Sequence, residues 1–243
     1  MGYTHMNDNE PSSLNDDFIR TFTVASAYKR PQSGTDVEFT IVVRDVGVVT
    51  RWLGYQNTGA RGMKTTLRVS GFGGNFRFSG LVSTLDGDDD GNKGKNVFIA
   101  AGIGITPLLG QITNVAGDGA GEAGGLIVLW TVGIKDIGLA VDVLGSAPED
   151  MKKSMCLFVT GTGAEPEGSK NMEMLAGLER DASVSGGGPR IERRRLTKDD
   201  LTGLEKSGEV EIENWYLCTA PGMRKQIQEW LDGKTVVFEN FDY

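Results

Sequence analysis

Up to about residue 90 the hydrophobic positions alternate with polar ones at the two-residue period of half-buried strands. IRTFTVAS, DVEFTIVVRD, TTLRVSGF and NFRFSG carry β-branched and aromatic residues between turns rich in Gly, Pro, Ser and Asp. This predicts antiparallel β-structure. Between two of these strands, GVVTRWLGYQ reads as a short helical turn, opened by Gly47 and closed near Gly54. The acidic, glycine-rich run LDGDDDGNKGK then breaks the pattern and marks the domain boundary, dividing the chain into 1–92 and 93–243. Beyond it, continuous apolar runs (NVFIAA, GLIVLW, MCLFVTG, NWYLC, TVVFENF) alternate with amphipathic stretches: ITPLLGQI, KDIGLAVDVL, a helix near LTKDDLTGLEKSG, and PGMRKQIQEWL. Strands buried on both faces and interleaved with helices predict a parallel sheet of the Rossmann-like kind. ASVSGGGPR, without periodicity, is expected to be an exposed loop, and nothing repeats at a solenoid period.

One junction carries chemistry. In NVFIAAGIGITP, Val97 to Ala100 form a buried strand, Gly102 and Gly104 a turn, and Ile105 onward a helix with Pro107 in its first turn. Glycine lets backbone approach a pyrophosphate without an intervening Cβ, and a helix start presents unpaired N–H groups. A purely structural turn has the same residues, so the motif alone leaves both readings open.

Composition narrows the classes. The 243 residues are 39% hydrophobic and 24% charged, ordinary for a globular chain. A net charge of −8, with no Lys/Arg block beyond Arg193–Arg195, argues against nucleic acid as a partner. No apolar run approaches the roughly 20 residues that span a bilayer. The start, MGYTHMNDNEPSS, is polar rather than signal-like, so no membrane partner and a cytoplasmic location are expected. Cys156 and Cys218 lie in apolar strand-like stretches without ligand spacing, and His5 is the one histidine, so no metal site or His-based triad is expected. Two motifs mislead. Gly119 to Gly124 matches the dinucleotide pattern G-x-G-x-x-G but precedes a strand and carries acidic Asp118 and Glu122. Asp86 to Gly91 mimics half a calcium loop, yet Val97 stands where the bidentate glutamate belongs.

The junction has companions in a fixed order. Arg20-Thr21-Phe22-Thr23 comes first, Gly47-Val48-Val49-Thr50 opens the short helix, GIGITP follows, LCTAPGM closes a strand and starts a helix, and VVFENFDY ends the chain. With these five motifs the sequence resembles the ferredoxin–NADP reductase superfamily, in which a flavin-binding β-barrel precedes a nicotinamide-binding α/β domain. The resemblance implies a partial flavin barrel over 1–92, an NAD(P)-binding domain over 93–243, and FAD and NAD(P)H as cofactors. By position, Arg20 would pair with the flavin pyrophosphate, Phe22 would lie against the isoalloxazine, and Thr23 would set its hydroxyl near flavin N5. Gly47, Val48, Val49 and Thr50 would hold flavin phosphates. Gly102, Gly104, Thr106 and Pro107 would bind the nicotinamide dinucleotide, with Cys218 beside nicotinamide C4. Glu239, Phe241 and Tyr243 would close over the flavin. Thr23, Cys218 and Glu239 are the implied catalytic positions.

The chain departs from the family pattern in three places. Thr219 and Ala220 follow the motif cysteine where glycine is usual, and Ala101 replaces a glycine in AAGIG. Only nineteen residues precede Arg20, too few for the first strands of a complete barrel. The expectation is therefore a partial barrel whose missing strands are supplied by another chain, or which holds flavin weakly. The implied function is hydride transfer from NAD(P)H to FAD, with electrons passing to an acceptor domain, protein or small molecule. The alternative is a non-catalytic nucleotide-binding fragment or module. FAD against FMN, and NADH against NADPH, stay open; Lys135, Lys170 and Arg193–Arg195 are the candidates for a 2′-phosphate.

Overall fold

In the computed structural model the described residues are 22–29, 37–44, 48–56, 69, 72–73, 76, 78, 95–115, 125–184, 186–206 and 211–238. The N-terminal part contains strands β1 (Val24–Lys29) and β2 (Val37–Ile41), paired antiparallel, and helix α1 (Val48–Gly54). These match IRTFTVAS, DVEFTIVVRD and the short helical turn of GVVTRWLGYQ. TTLRVSGF, NFRFSG, the boundary run and both misleading motifs fall wholly or mostly outside the described residues.

The larger part is a six-stranded, all-parallel sheet. Its strands are β3 (Lys95–Ala101), β4 (Leu126–Gly133), β5 (Met155–Thr160), β6 (Arg190–Glu192), β7 (Ile212–Cys218) and β8 (Val236–Phe238), in the spatial order β6-β5-β4-β3-β7-β8. Helices α2 (Thr106–Val115), α3 (Ile137–Ser146), α4 (Glu149–Lys153), α5 (Lys170–Val184), α6 (Lys198–Lys206) and α7 (Pro221–Trp230) connect the strands. Alternate strand residues feed two apolar layers. Phe98, Ala100, Val128, Trp130, Leu157 and Val159 pack on one face with residues of α2, α3 and α5. Val97, Ile99, Leu129, Phe158, Trp215 and Leu217 pack on the other with α6 and α7. Burial on both faces explains the unbroken apolar runs of the sequence. Burying a side chain such as Leu or Phe contributes roughly 1.5–3 kcal/mol.

Two local expectations are corrected. Ala182 to Val184 belong to α5 and Arg190 opens β6, so ASVSGGGPR is not one loop. Of α5 only Leu175 is fully buried, and β6 is three residues long; neither makes a strong periodic signal. The helix after GIGI begins at Thr106 rather than Ile105, because Gly102–Ile105 winds as a 3-10 turn.

Four contacts seat the N-terminal part on the parallel sheet. A Cβ on Gly110 would overlap the Val24 carbonyl oxygen, so β1 lies against α2 at backbone distance. The Gln111 side chain accepts from Phe78 N–H at 3.0 Å and donates to Phe76 C=O at 3.1 Å, so it pairs that segment as a neighbouring strand would. Phe78, 2% exposed, then packs at 4.8 Å from Phe98 and 5.0 Å from Tyr216, ring centre to ring centre. Beyond β2, Arg44 pairs with Asp136 at 3.2 Å. Among the described residues, no helix is long and apolar enough to cross a membrane.

Candidate nucleotide site at the carboxyl edge of the sheet

In a parallel α/β sheet, ligands bind outside the carboxyl ends of the strands where the strand order reverses. Here that point lies between β3 and β7: the chain runs outward from β3 through β4, β5 and β6, then returns to β7 on the other side of β3. The sequence sets GIGITP at the end of β3 and Cys218 at the end of β7, so the topology itself brings them together.

Their approach is closer than side chains permit. A Cβ on Gly104 would overlap the Cys218 carbonyl oxygen, 3.0 Å from its carbonyl carbon and 3.3 Å from Sγ. Gly104 is buried by that strand end, and Cys218 is 7% exposed. Gly102 is glycine for a different reason. Its φ of +53° lies in the left-handed region, while among the described residues nothing stands within 4 Å of where a Cβ would be. Trp130, fully buried in β4, donates its indole N–H to the Gly102 carbonyl at 2.9 Å and holds the turn from beneath.

Thr106 turns its donors inward. It is 4% exposed, its hydroxyl donates to the Ile103 carbonyl at 2.9 Å, and its backbone N–H goes to the same oxygen. Pro107 is buried and has no donor. The exposed part of the turn is Gly102 and Ile103, the latter 38% accessible.

These two residues line a cavity of about 230 Å³ with Val42, Val43, Arg44, Lys135, Asp136, Gly138 and Leu139. The N-terminal part therefore forms one wall of it, through the residues after β2. Ligand pockets span roughly 300–1,000 Å³, so this cavity is smaller than a whole drug-sized ligand needs. Arg44 and Lys135 bring two cations to it; Asp136, paired with Arg44, brings one anion. Arg44, Trp130 and Asp136 were missed by sequence reasoning. An arginine shortly after an alternating strand was the available hint.

A larger cavity of about 590 Å³ lies at the opposite edge, among Lys95, Ile127, Lys153, Met155, Cys156 and Arg190. Size alone favours it, but it sits at the amino ends of the strands, away from the switch point. Arg190 Nε donates to Cys156 Sγ at 3.3 Å. Burial nevertheless outweighs that cation and pushes the Cys156 thiol up, which makes it a neutral, inert thiol at neutral pH.

Other implied positions are dispersed or fall elsewhere. Phe22 and Thr23 are half-buried just before β1. Val48, Val49 and Thr50 open α1. Arg20, Gly47, Glu239, Phe241 and Tyr243 lie outside the described residues. Of the basic candidates, Arg193 is clamped to Glu179 at 2.7 and 2.6 Å, and Arg194 to Asp200 at 2.8 and 2.7 Å. Thr197 N–H and hydroxyl also donate to Asp200 at 2.8 Å, closing the start of α6 in the manner of a capping box. Arg194, helped by these donors, lowers the Asp200 pKa to about 2. Both guanidinium groups thus already hold carboxylates. Lys135 lines the cavity, and Lys170 begins α5.

No protein-family model and no curated protein matches this sequence.

Proposed function

We propose that the chain is a flavin-dependent NAD(P)H oxidoreductase of the ferredoxin–NADP reductase type, passing electrons onward to a separate acceptor. The observation that carries this reading is the contact of Gly104 with the Cys218 carbonyl at the switch point of the sheet. It sets a glycine turn suited to phosphate beside a buried cysteine, the pair that the sequence resemblance assigns to the nicotinamide dinucleotide. The residues present fit such a group: open space over Gly102, two cations across the cavity, and a turn fixed from the core side.

When bound, the nicotinamide supplies a hydride from C4 and the flavin accepts it at N5. The chain's own residues orient and enclose. Gly102 and Ile103 would receive the pyrophosphate, with Arg44 and Lys135 balancing its charge. Cys218 would bound the nicotinamide pocket as a small, polarizable wall rather than as a nucleophile. Phe22 would flank the flavin ring, and the Thr23 hydroxyl would donate to it. Bringing the two reacting atoms into contact in a dry crevice is the main source of rate. In this reading the N-terminal part supplies the flavin side of the crevice.

The test is the purified chain titrated with FAD, then mixed with NADH or NADPH and ferricyanide. A yellow protein that reduces ferricyanide supports the oxidoreductase. A colourless protein that binds NAD(P)H without turnover supports the non-catalytic nucleotide-binding module instead.

A further inference from the structure

The proposed dinucleotide site receives an unassigned positioning residue from β4. The Gly102 carbonyl is taken by Trp130 Nε1 at 2.9 Å, and Trp130 is fully buried within the apolar layer that also holds Ile105 and Leu108. No described peptide bond is cis. In a planar trans peptide the carbonyl of one residue and the N–H of the next point in opposite directions. Because the indole pulls the Gly102 oxygen toward the core, the Ile103 N–H in the same peptide plane points away from it. Gly102 and Ile103 are the two residues of the turn that line the cavity shared with Arg44 and Lys135. We infer that Trp130 aims the Ile103 N–H at the phosphate of the bound dinucleotide, and that this amide, rather than Thr106, is the turn's principal donor to the ligand.

This rests on the dinucleotide reading, and it accounts for a sequence fact the motif alone leaves unexplained. Gly102 combines a left-handed φ with a carbonyl held by the indole, a conformation that favours glycine there. Thr106 is excluded because both of its donors converge on the Ile103 carbonyl. Trp130 touches no ligand in this account; it acts through the orientation of one peptide.

The experiment uses ADP-ribose, which carries the pyrophosphate without the nicotinamide, and follows backbone amide resonances together with calorimetric affinity. In the unaltered protein the Ile103 amide should show one of the largest shifts on titration, and the Thr106 amide a small one. Trp130→Phe should weaken binding about three- to tenfold, the effect of losing one orienting hydrogen bond, and should reduce the Ile103 shift. With NAD(P)H as substrate, KM should rise while kcat holds. If Trp130→Phe does not fold, benzothienylalanine at 130, which keeps the ring shape and lacks the donor, takes its place. ADP-ribose binding with Ile103 unmoved, or unchanged affinity in the donor-free variant, overturns the inference while leaving the dinucleotide reading intact. Absence of ADP-ribose binding to the unaltered protein overturns both.

Discussion

Gly104→Ala would place a methyl where the end of strand β7 leaves no room for one. The added methyl would overlap the Cys218 carbonyl oxygen and lie 3.0 Å from the carbonyl carbon. An ordinary carbon–oxygen contact needs about 3.3 Å, so the end of β7 and the turn after β3 must part by about 1 Å. Neither partner is a flexible side chain: both are backbone, anchored by the parallel ladder that runs from Asn96↔Asn214 to Ala100↔Cys218. Overpacking of this kind costs typically 1–3 kcal/mol, and a rigid neighbour places the cost near the upper end. Stiffening of the unfolded chain returns about 0.4–1 kcal/mol. The net is a loss of about 2–3 kcal/mol, or a fall in Tm of about 5–10 °C for a chain of this length. Thermal and urea unfolding measure it, with NAD(P)H affinity followed alongside. Affinity should fall as well, since the parting displaces the turn from the cysteine. A variant that melts within about 1 °C of the unaltered protein would refute the reasoning, since the strand ends would then not meet as described.

Other expectations separate the site's components. Gly102→Ala meets open space but keeps a positive φ, so it should cost about 1–2 kcal/mol through backbone strain and weaken nucleotide binding; an unchanged melting curve would contradict the left-handed turn. Cys218→Ala leaves backbone contacts in place, so under the proposed chemistry it should lower kcat about tenfold through ring misplacement, with KM little changed; a loss confined to KM would argue against the assignment. The Arg194–Asp200 pair predicts an acid-side effect. The Asp200 carboxyl titrates at about 2 in the folded protein, below the roughly 3.9 of an unfolded aspartate. Its contribution is therefore complete above about pH 5 and lost as pH falls from about 4 toward 2. With Arg194 42% exposed, that contribution is about 1 kcal/mol. In urea unfolding against pH, Asp200→Asn should lie below the unaltered protein at pH 6 and converge with it near pH 2; parallel curves would contradict the pairing.

Legibility in the sequence followed the strength of the physical signal. The parallel strands β3, β4, β5 and β7 were readable because burial on both faces leaves unbroken apolar runs, and α7 because Pro221 marks its first turn. Helix α5 and strand β6 were not, since a mostly exposed helix and a three-residue edge strand carry little periodicity. Gly102 and Gly104 were readable from the strand–turn–helix context and Cys218 only through the family resemblance, and the two glycines have distinct causes, one conformational and one steric. Thr106 shows the limit of a motif: spacing places the residue in the turn but does not say where its hydroxyl goes, and here it turns inward. Trp130, Arg44 and Asp136 reach the site from other elements, across 28 positions in the case of the indole and its carbonyl. Such contacts are set by sheet order, which no local pattern encodes.

Under the proposed function, a nicotinamide dinucleotide bound at the β3–β7 switch point meets a flavin held by the N-terminal part. The most direct measurement is anaerobic: protein loaded with FAD and freed of excess flavin, with one equivalent of NADH or NADPH added while the visible flavin absorption is followed. The account predicts that the absorption bleaches with at least one of the two nucleotides, and that Gly104→Ala slows the bleaching. Flavin that stays bound and fully coloured with both nucleotides would contradict it.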